Sequence, residues 1–197
     1  MSEKLKKIEQ KIIDRLRQKL DPGLIYHNLG HTLDVMVQAE AIAVSEGIKT
    51  EYEMDLLKLA AAYHDCGFLF TYKNHEEKSC EIFKTDLTGI LSNHETETVC
   101  GMIMATKIPQ SPKTLLEKIL CDADLDYLGR SDFEPISNNL HKEFIDFGII
   151  RDQDDWNKIQ INFFESHTYF TSTSLIKRNT KKLEHLLLLK AGSSRQS

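Results

Sequence analysis

The sequence has little of what interrupts a helix and none of the patterning that builds a sheet. Proline occurs four times and glycine nine times in 197 residues, mostly at the joints between periodic segments. No stretch alternates apolar and polar residues between turn signals, as a half-buried strand would. Apolar residues instead recur at spacings of three and four almost throughout. The sequence therefore predicts an all-α fold.

Long apolar runs and paired cysteines are also missing. No run approaches the roughly 18 apolar residues that a membrane span requires, and the charged N-terminal segment lacks the apolar stretch of a signal peptide. Cys66, Cys80, Cys100 and Cys121 form no C-x-x-C pair, so buried free thiols are predicted. These absences favour a cytoplasmic protein with no membrane partner.

An excess of positive charge is absent as well. The chain carries 25 basic and 30 acidic residues, for a formal net charge of -5. A protein that binds a nucleic-acid duplex would be expected to present a basic face. The sequence predicts no such partner and leaves a homodimer open.

The helical periodicity predicts about nine helices in a single compact domain spanning residues 1–197. A hydrophobic content of 41% over this length suffices for one full core. The predicted ranges are 3–20, 29–47, 52–67, 75–84, 95–107, 112–127, 132–147, 152–169 and 172–190.

The most informative feature is the doublet His64-Asp65, which ends the apolar run 56–63. A histidine and a carboxylate that emerge together from a buried helix need a partner to offset their desolvation. A divalent cation is the simplest such partner, and His31 upstream and Asp124 downstream are candidate further ligands. Imidazole and carboxylate ligands together suit Mn, Fe, Co, Ni, Zn or Mg.

Three acids compete for the downstream position, because Asp122, Asp124 and Asp126 cannot all face the same way on a helix. Asp124 is four residues from both Leu120 and Leu128 and would share their inward face. Alone, the three acids would be interpreted as a solvated helix end, and any single histidine as a surface or hydrogen-bonded residue. Spacing alone leaves both interpretations open.

Four segments resemble, in order, the signature segments of the HD-domain superfamily of metal-dependent phosphohydrolases. They are Tyr26–Thr32, Ala60–Gly67, Asn74–Ser79 and Asp122–Leu125. The resemblance covers roughly residues 20–130, and the helices within 132–190 are expected to pack on that core. It implies an all-α HD-type fold and one divalent metal held by His31, His64, Asp65 and Asp124. Asp124 is preferred to Asp122 because the family's ligand follows a small residue and precedes an apolar one.

Some members of the superfamily hold two metals with two additional histidines. His75 occupies the place of the first, while the second would fall near Thr106, where the chain has no histidine. We therefore expect one tightly bound metal, with His75 near the substrate or on a weak second ion. The alternative places His75 exposed at a helix start capped by Asn74, and His94 is predicted to lie in a loop.

The resemblance implies hydrolysis of a phosphoester or phosphoanhydride by attack of metal-bound water. Asp65 would also orient that water, and His75 would act beside it. Lys73 and Lys78 are candidate phosphate contacts, with Arg130 as a third, although each could be an ordinary solvated cation. His27, Asp122 and Asp126 are expected to orient the ligand imidazoles.

The expected substrate is a small phosphorylated molecule, most simply a nucleotide. Phe68 and Leu69 stand where the superfamily's deoxynucleotidases and guanosine-tetraphosphate hydrolases carry a glutamate, which argues against both activities. Aromatic residues within 156–170 are interpreted as core, although some could wall the pocket. The alternatives are a non-catalytic metal- and nucleotide-binding regulatory module with a structural metal, and a purely helical interaction protein.

Overall fold

The computed structural model describes residues 3–193, apart from the side chains at positions 153, 154 and 193. Over that range it contains nine α-helices, two short 3-10 helices and no strand. The α-helices are α1 (Glu3–Lys19), α2 (Leu29–Ser45), α3 (Glu51–Tyr63), α4 (His75–Asp86), α5 (Asn93–Ala105), α6 (Leu115–Asp124), α7 (Phe133–Asp146), α8 (Gln153–Ser166) and α9 (Ser172–Ser193). The predicted all-α class is confirmed.

The helices differ from the prediction at two places that matter for the site. α3 ends at Tyr63 and is followed by the 3-10 helix Cys66–Leu69, while α6 ends at Asp124 and is followed by the 3-10 helix Asp126–Gly129. The prediction ran one helix through each break, because apolar residues keep a helical spacing across the tighter 3-10 turns. Both segments that carry acidic candidate ligands therefore lie where a buried α-helix ends.

The prediction of a loop at His94 was wrong. His94 lies in the first turn of α5, which begins at Asn93. The hydroxyl of Ser92 accepts a hydrogen bond from the amide of Glu95, and the Glu95 carboxylate accepts one from the Ser92 amide. This reciprocal capping box starts the helix two residues earlier than apolar periodicity indicates.

Helix α3 forms the centre of the core. From Leu56 to Tyr63, every side chain except that of Lys58 is at most 3% exposed. α3 packs against α1, α2, α4, α5 and α6. Because a helix that is apolar all round must be covered on all sides, the run 56–63 places the end of α3 deep inside the protein.

The C-terminal helices cover the end of α6. α9 packs on the 3-10 helix Asp126–Gly129, on α8 and on α2. A second apolar cluster joins Tyr26, Leu125 and Tyr127 to Phe133 of α7 and Phe164 of α8. The ends of α3 and α6 are thus enclosed by chain from both halves of the sequence. No helix within residues 3–193 combines the length and the apolar content needed to cross a membrane.

Candidate metal centre

His31 is positioned by the start of α2. The Asn28 side chain accepts a hydrogen bond from the His31 amide at 3.2 Å, which caps the helix. The imidazole therefore leaves the first helical turn, where only 10% of the side chain is exposed.

His64 and Asp65 follow the last residue of α3 directly. His64 is fully buried, and its Nδ1 donates a hydrogen bond to the Ala61 carbonyl at 2.8 Å. In the neutral imidazole this bond places the ring proton on Nδ1 and leaves Nε2 with its lone pair, the form that binds a metal. The sequence prediction assigned carboxylate partners to the imidazoles, but this one is held by a backbone carbonyl.

Four side chains converge at this point. Asp124 Oδ1 lies 3.1 Å from Nε2 of His31 and 3.6 Å from Nε2 of His64. Asp65 Oδ2 lies 3.4 Å and 3.2 Å from the same two nitrogens, which are 3.4 Å apart. The ligand atoms of His31, His64 and Asp65 all lie within 4.8 Å of one another.

The close carboxylates change the acidity of the whole cluster. Burial lowers the pKa of His31, but the hydrogen bond to Asp124 and the adjacent Asp65 carboxylate outweigh it and raise that pKa to about 9. The pKa of His64 also rises well above its usual value, because the nearby carboxylates of Asp65 and Asp124 overcome burial. Burial would raise the pKa of Asp124, yet its hydrogen bond to His31 and its contact with His64 lower it to about 2. The cluster thus favours positive charge between its carboxylates.

A divalent cation fits these residues. Asp65 Oδ2 is buried and has no hydrogen-bond partner, although two imidazole nitrogens lie within 3.4 Å. A buried carboxylate oxygen without a partner is costly unless a cation faces it. Two imidazoles and carboxylates form a donor set that suits borderline and hard divalent metals. His31, His64 and Asp65 therefore fit a divalent metal site.

His75 extends the cluster on the other side of Asp65. Its Nε2 lies 3.3 Å from Asp65 Oδ1 and 3.5 Å from a carboxylate oxygen of Glu76, which is 7% exposed. Its Nδ1 donates to the Tyr72 carbonyl at 3.3 Å, and its ring stacks on Phe68 with centroids 4.0 Å apart. Asp65 thus turns Oδ2 toward His31 and His64 and Oδ1 toward His75. His75 is neither capped by the Asn74 side chain nor fully exposed.

The close approach of two segments fixes the position of His75. A Cβ added to Gly67 would lie 1.9 Å from the backbone oxygen of His75. No side chain fits there, so only glycine allows the 3-10 helix after the doublet to contact the start of α4. The Gly67 amide donates to the Ser79 hydroxyl at 2.8 Å, which ties the same two segments together.

The candidate cations do not gather at the cluster. Lys73 is exposed, and Lys78 Nζ bonds to Glu81 at 2.8 Å and lies over the Phe70 ring. Neither lysine lines either of the two cavities whose walls include candidate metal ligands. Their contact with phosphate stays a prediction. Arg130 is closer, but Asp34 holds its guanidinium at 2.6 Å, and Asp132 binds it as well.

The residues expected to orient the imidazoles do something else. Asp122 accepts hydrogen bonds from the Phe170 and Thr171 amides at 2.8 Å. Asp126 accepts one from Arg178 at 2.7 Å. The two carboxylates therefore fasten the C-terminal segment to α6 and to the 3-10 helix after it, and neither forms the solvated helix end that the sequence also allowed.

Glu143, which the sequence patterns did not single out, holds the segment before α2. Its buried carboxylate accepts hydrogen bonds from the Tyr26 amide, the His27 amide and the Tyr72 hydroxyl, and it pairs with His27 Nδ1. Burial would raise the pKa of Glu143, but the bonds to His27 and the two amides lower it below its ordinary value. No local signal could have found it, since an acid in a periodic helix resembles any solvated position.

Two cavities flank the cluster. One has a volume of about 290 Å³ and is lined by Asp65, His75 and Asp124 together with many aromatic side chains. The other has a volume of about 270 Å³ and is lined by His31, Asp124 and Arg130. Candidate metal ligands thus border open space on two sides, which gives a small molecule access to them.

A family comparison agrees with this geometry. The model of the HD domain matches residues 28–126, the range that contains all four converging side chains. The chain therefore belongs to the HD domain family, as its motifs predicted. Searches of curated proteins and of solved structures found no significant match.

Proposed function

We propose that this protein is a divalent-metal-dependent phosphohydrolase that acts on a small phosphorylated substrate. The convergence of His31, His64, Asp65 and Asp124 beside an open cavity is the observation that carries the proposal. A buried donor set with access for a ligand is the arrangement expected of a catalytic metal rather than a closed structural site. Membership of the HD family supports the same interpretation.

The four side chains would hold one divalent ion, which is Mn, Fe, Co, Ni, Zn or Mg on the chemistry of its donors. When bound, such an ion supplies a water of lowered pKa and polarises a phosphoryl oxygen. The Ala61 carbonyl keeps the proton of His64 on Nδ1, so that Nε2 stays available. Asp65 contributes one oxygen to this cluster and turns the other toward His75.

His75 is proposed to act on the substrate side. The Tyr72 carbonyl holds its Nδ1, and its Nε2 faces Asp65 at the wall of the larger cavity. It can donate a hydrogen bond to a phosphoryl oxygen there, or it can hold a weak second ion together with Asp65 and Glu76. Lys73 and Lys78 would have to move to reach phosphate, so their part in catalysis is the least supported.

Hydrolysis and its metal dependence are tested together. Bound metal is removed with a chelator, and the protein is reloaded with Mn, Co, Ni or Mg. Phosphate release is then measured on nucleotide and generic phosphoester substrates. Asp65→Ala should lose both bound metal and activity while keeping its helical circular dichroism. Glu184→Ala, which changes an exposed carboxylate away from both cavities, is the matched control and should keep both. Unchanged metal content in Asp65→Ala would refute the assignment.

The second candidate is a non-catalytic regulatory module in which the metal is structural. The observation in its favour is that the ligands are at most 15% exposed and link the ends of α2, α3 and α6. Such a module would show no turnover, would retain an intact nucleotide and would lose its thermal stability on chelation. Preference for a nucleotide and a homodimer are proposals that the same purified protein allows to be tested, and a cytoplasmic location is a proposal that cell fractionation tests.

A further inference from the structure

The larger cavity beside the cluster combines three carboxylates with an absence of lysine and arginine. Asp65, Glu76 and Asp124 line it together with His27 and His75, and none of the described residues that line it is a lysine or an arginine. Three cations of the surrounding chain within residues 3–193 are engaged elsewhere: Lys107 binds Glu77 and Asn74, Lys78 binds Glu81, and Arg130 binds Asp34.

The rest of the wall is apolar and largely aromatic. It includes Tyr127, Phe133, Phe144, Trp156, Phe163 and Phe164. Tyr127 and Phe133 stack with centroids 6.2 Å apart, and Phe133 meets Phe164 edge to face at 5.2 Å. Gln160 and Thr106 add uncharged polar groups. At about 290 Å³ the cavity is near the small end of the range of ligand pockets.

From this wall we infer the class of substrate: an ester with a single phosphate on an uncharged, compact aromatic group, of which a nucleoside monophosphate is the natural example. The inference rests on the proposed function, because the phosphate would lie at the metal centre. The aromatic group gains by leaving water for an apolar wall. Beyond the metal centre, further phosphates would enter the cavity as desolvated anions beside carboxylates, with no lysine or arginine to pair with them. Nucleoside di- and triphosphates should therefore be rejected.

The chain carries its own reporter for this test. Trp156 is the single tryptophan of the sequence, is 4% exposed and lines the cavity. Its fluorescence in the metal-loaded protein is titrated with adenosine monophosphate, adenosine triphosphate, phenyl phosphate and ribose 5-phosphate, at a fixed free-metal concentration. The monophosphate and phenyl phosphate should bind at least about tenfold more tightly than the other two, a difference of about 1.4 kcal/mol.

Comparison of the ligands shows which kind of aromatic phosphate ester the cavity prefers. Tighter binding of adenosine monophosphate than of phenyl phosphate identifies a nucleoside, and the reverse order identifies a simpler aryl ester. Equal or tighter binding of the triphosphate, or of ribose 5-phosphate, overturns the inference. Because binding is measured rather than turnover, a protein that selects the monophosphate but releases no phosphate refutes the hydrolase and leaves the ligand class standing.

A charge placed at the mouth of the cavity tests the cause of the selectivity. Ile159 lines the cavity and is 39% exposed, so Ile159→Lys adds a cation there without disturbing the core. It should reduce the ratio of the affinity for adenosine monophosphate to that for adenosine triphosphate by about tenfold. Ile176→Lys is the matched control, since Ile176 is 84% exposed on α9 and lines neither cavity. An unchanged preference in Ile159→Lys, or the same change in both variants, would contradict a selection by charge.

Discussion

Asp124 Oδ1 lies 3.1 Å from Nε2 of His31, although 93 residues separate them in the chain. The two residues come from opposite ends of their helices: His31 from the first turn of α2 and Asp124 from the last residue of α6. α2 and α6 pack directly against each other, which brings these ends together beside the end of α3. A site built from the ends of three packed helices is rigid without being built from consecutive residues.

The different roles of neighbouring acids give a first prediction. Asp124→Ala should reduce metal affinity by more than the roughly 10–100-fold that loss of an outer partner of a ligand costs. Asp122→Ala should instead keep the metal and lower the free energy of unfolding by about 1–3 kcal/mol, because it leaves buried donors at Phe170 and Thr171 unpaired. Metal analysis and urea denaturation of both variants measure the two effects. Metal loss in Asp122→Ala with Asp124→Ala unaffected would reverse the assignment.

Gly67 gives a second prediction. Gly67→Ala should destabilise the protein by at least about 1–3 kcal/mol, the usual cost of overpacking, because the new Cβ meets the His75 backbone oxygen. His75 must then shift away from Asp65. In the control, Gly101→Ala in the middle of α5 meets only one side-chain oxygen of Glu117, at 3.3 Å, and no backbone atom. It should be neutral or stabilising by about 0.4–1 kcal/mol.

Thermal denaturation compares the two glycine variants, and a high-resolution structure of Gly67→Ala would show the displacement of His75. Equal stability of the two variants would mean that the segments can separate at little cost.

Glu143 gives a third prediction. Glu143→Ala removes the acceptor of three hydrogen bonds and the partner of His27, and each buried donor left unpaired costs about 1–3 kcal/mol. Tyr72→Phe removes a single bond to the same carboxylate and should cost about 1 kcal/mol. Because Tyr26 and His27 line the larger cavity, Glu143→Ala should also weaken ligand binding.

Denaturation of both single variants and of the double variant measures this coupling. Additive effects of Glu143→Ala and Tyr72→Phe would show that Tyr72 does not depend on the carboxylate.

His167 gives a prediction for pH. Burial, followed by the charge of Lys182, lowers the pKa of His167 to about 3, and both ring nitrogens are buried without a partner. Between about pH 6.5 and pH 3, His167 is protonated in the unfolded chain but neutral in the folded protein. Stability is therefore lost as the pH falls through this range, by up to about 1.4 kcal/mol per pH unit.

His167→Phe should remove that contribution, so that the slope of unfolding free energy against pH between 6 and 4 becomes smaller than in the wild type. The control is His94→Gln, which changes an exposed histidine and should leave the slope unchanged. A slope that His167→Phe does not alter would mean that the histidine is protonated in the folded state.

Local sequence patterns predicted most of the secondary structure. Apolar spacing located the nine helices found within residues 3–193. The doublet His64-Asp65 located the site, because a polar pair at the end of a buried helix needs a partner that offsets its desolvation. Spacing failed where α3 and α6 give way to 3-10 turns, since i+3 and i+4 patterns look alike over one turn. It also failed at Asp122 and Asp126, whose partners lie about fifty residues away.

The sequence by itself determined that the chain is helical, which motifs it carries and which donor types a metal would meet, because these depend on residue identity and short-range spacing. Tertiary packing alone decided which acid of three faces the histidines, which cations are already paired and which aromatic residues wall a cavity. Those outcomes depend on contacts between segments far apart in the chain, and local spacing contains no information about such contacts.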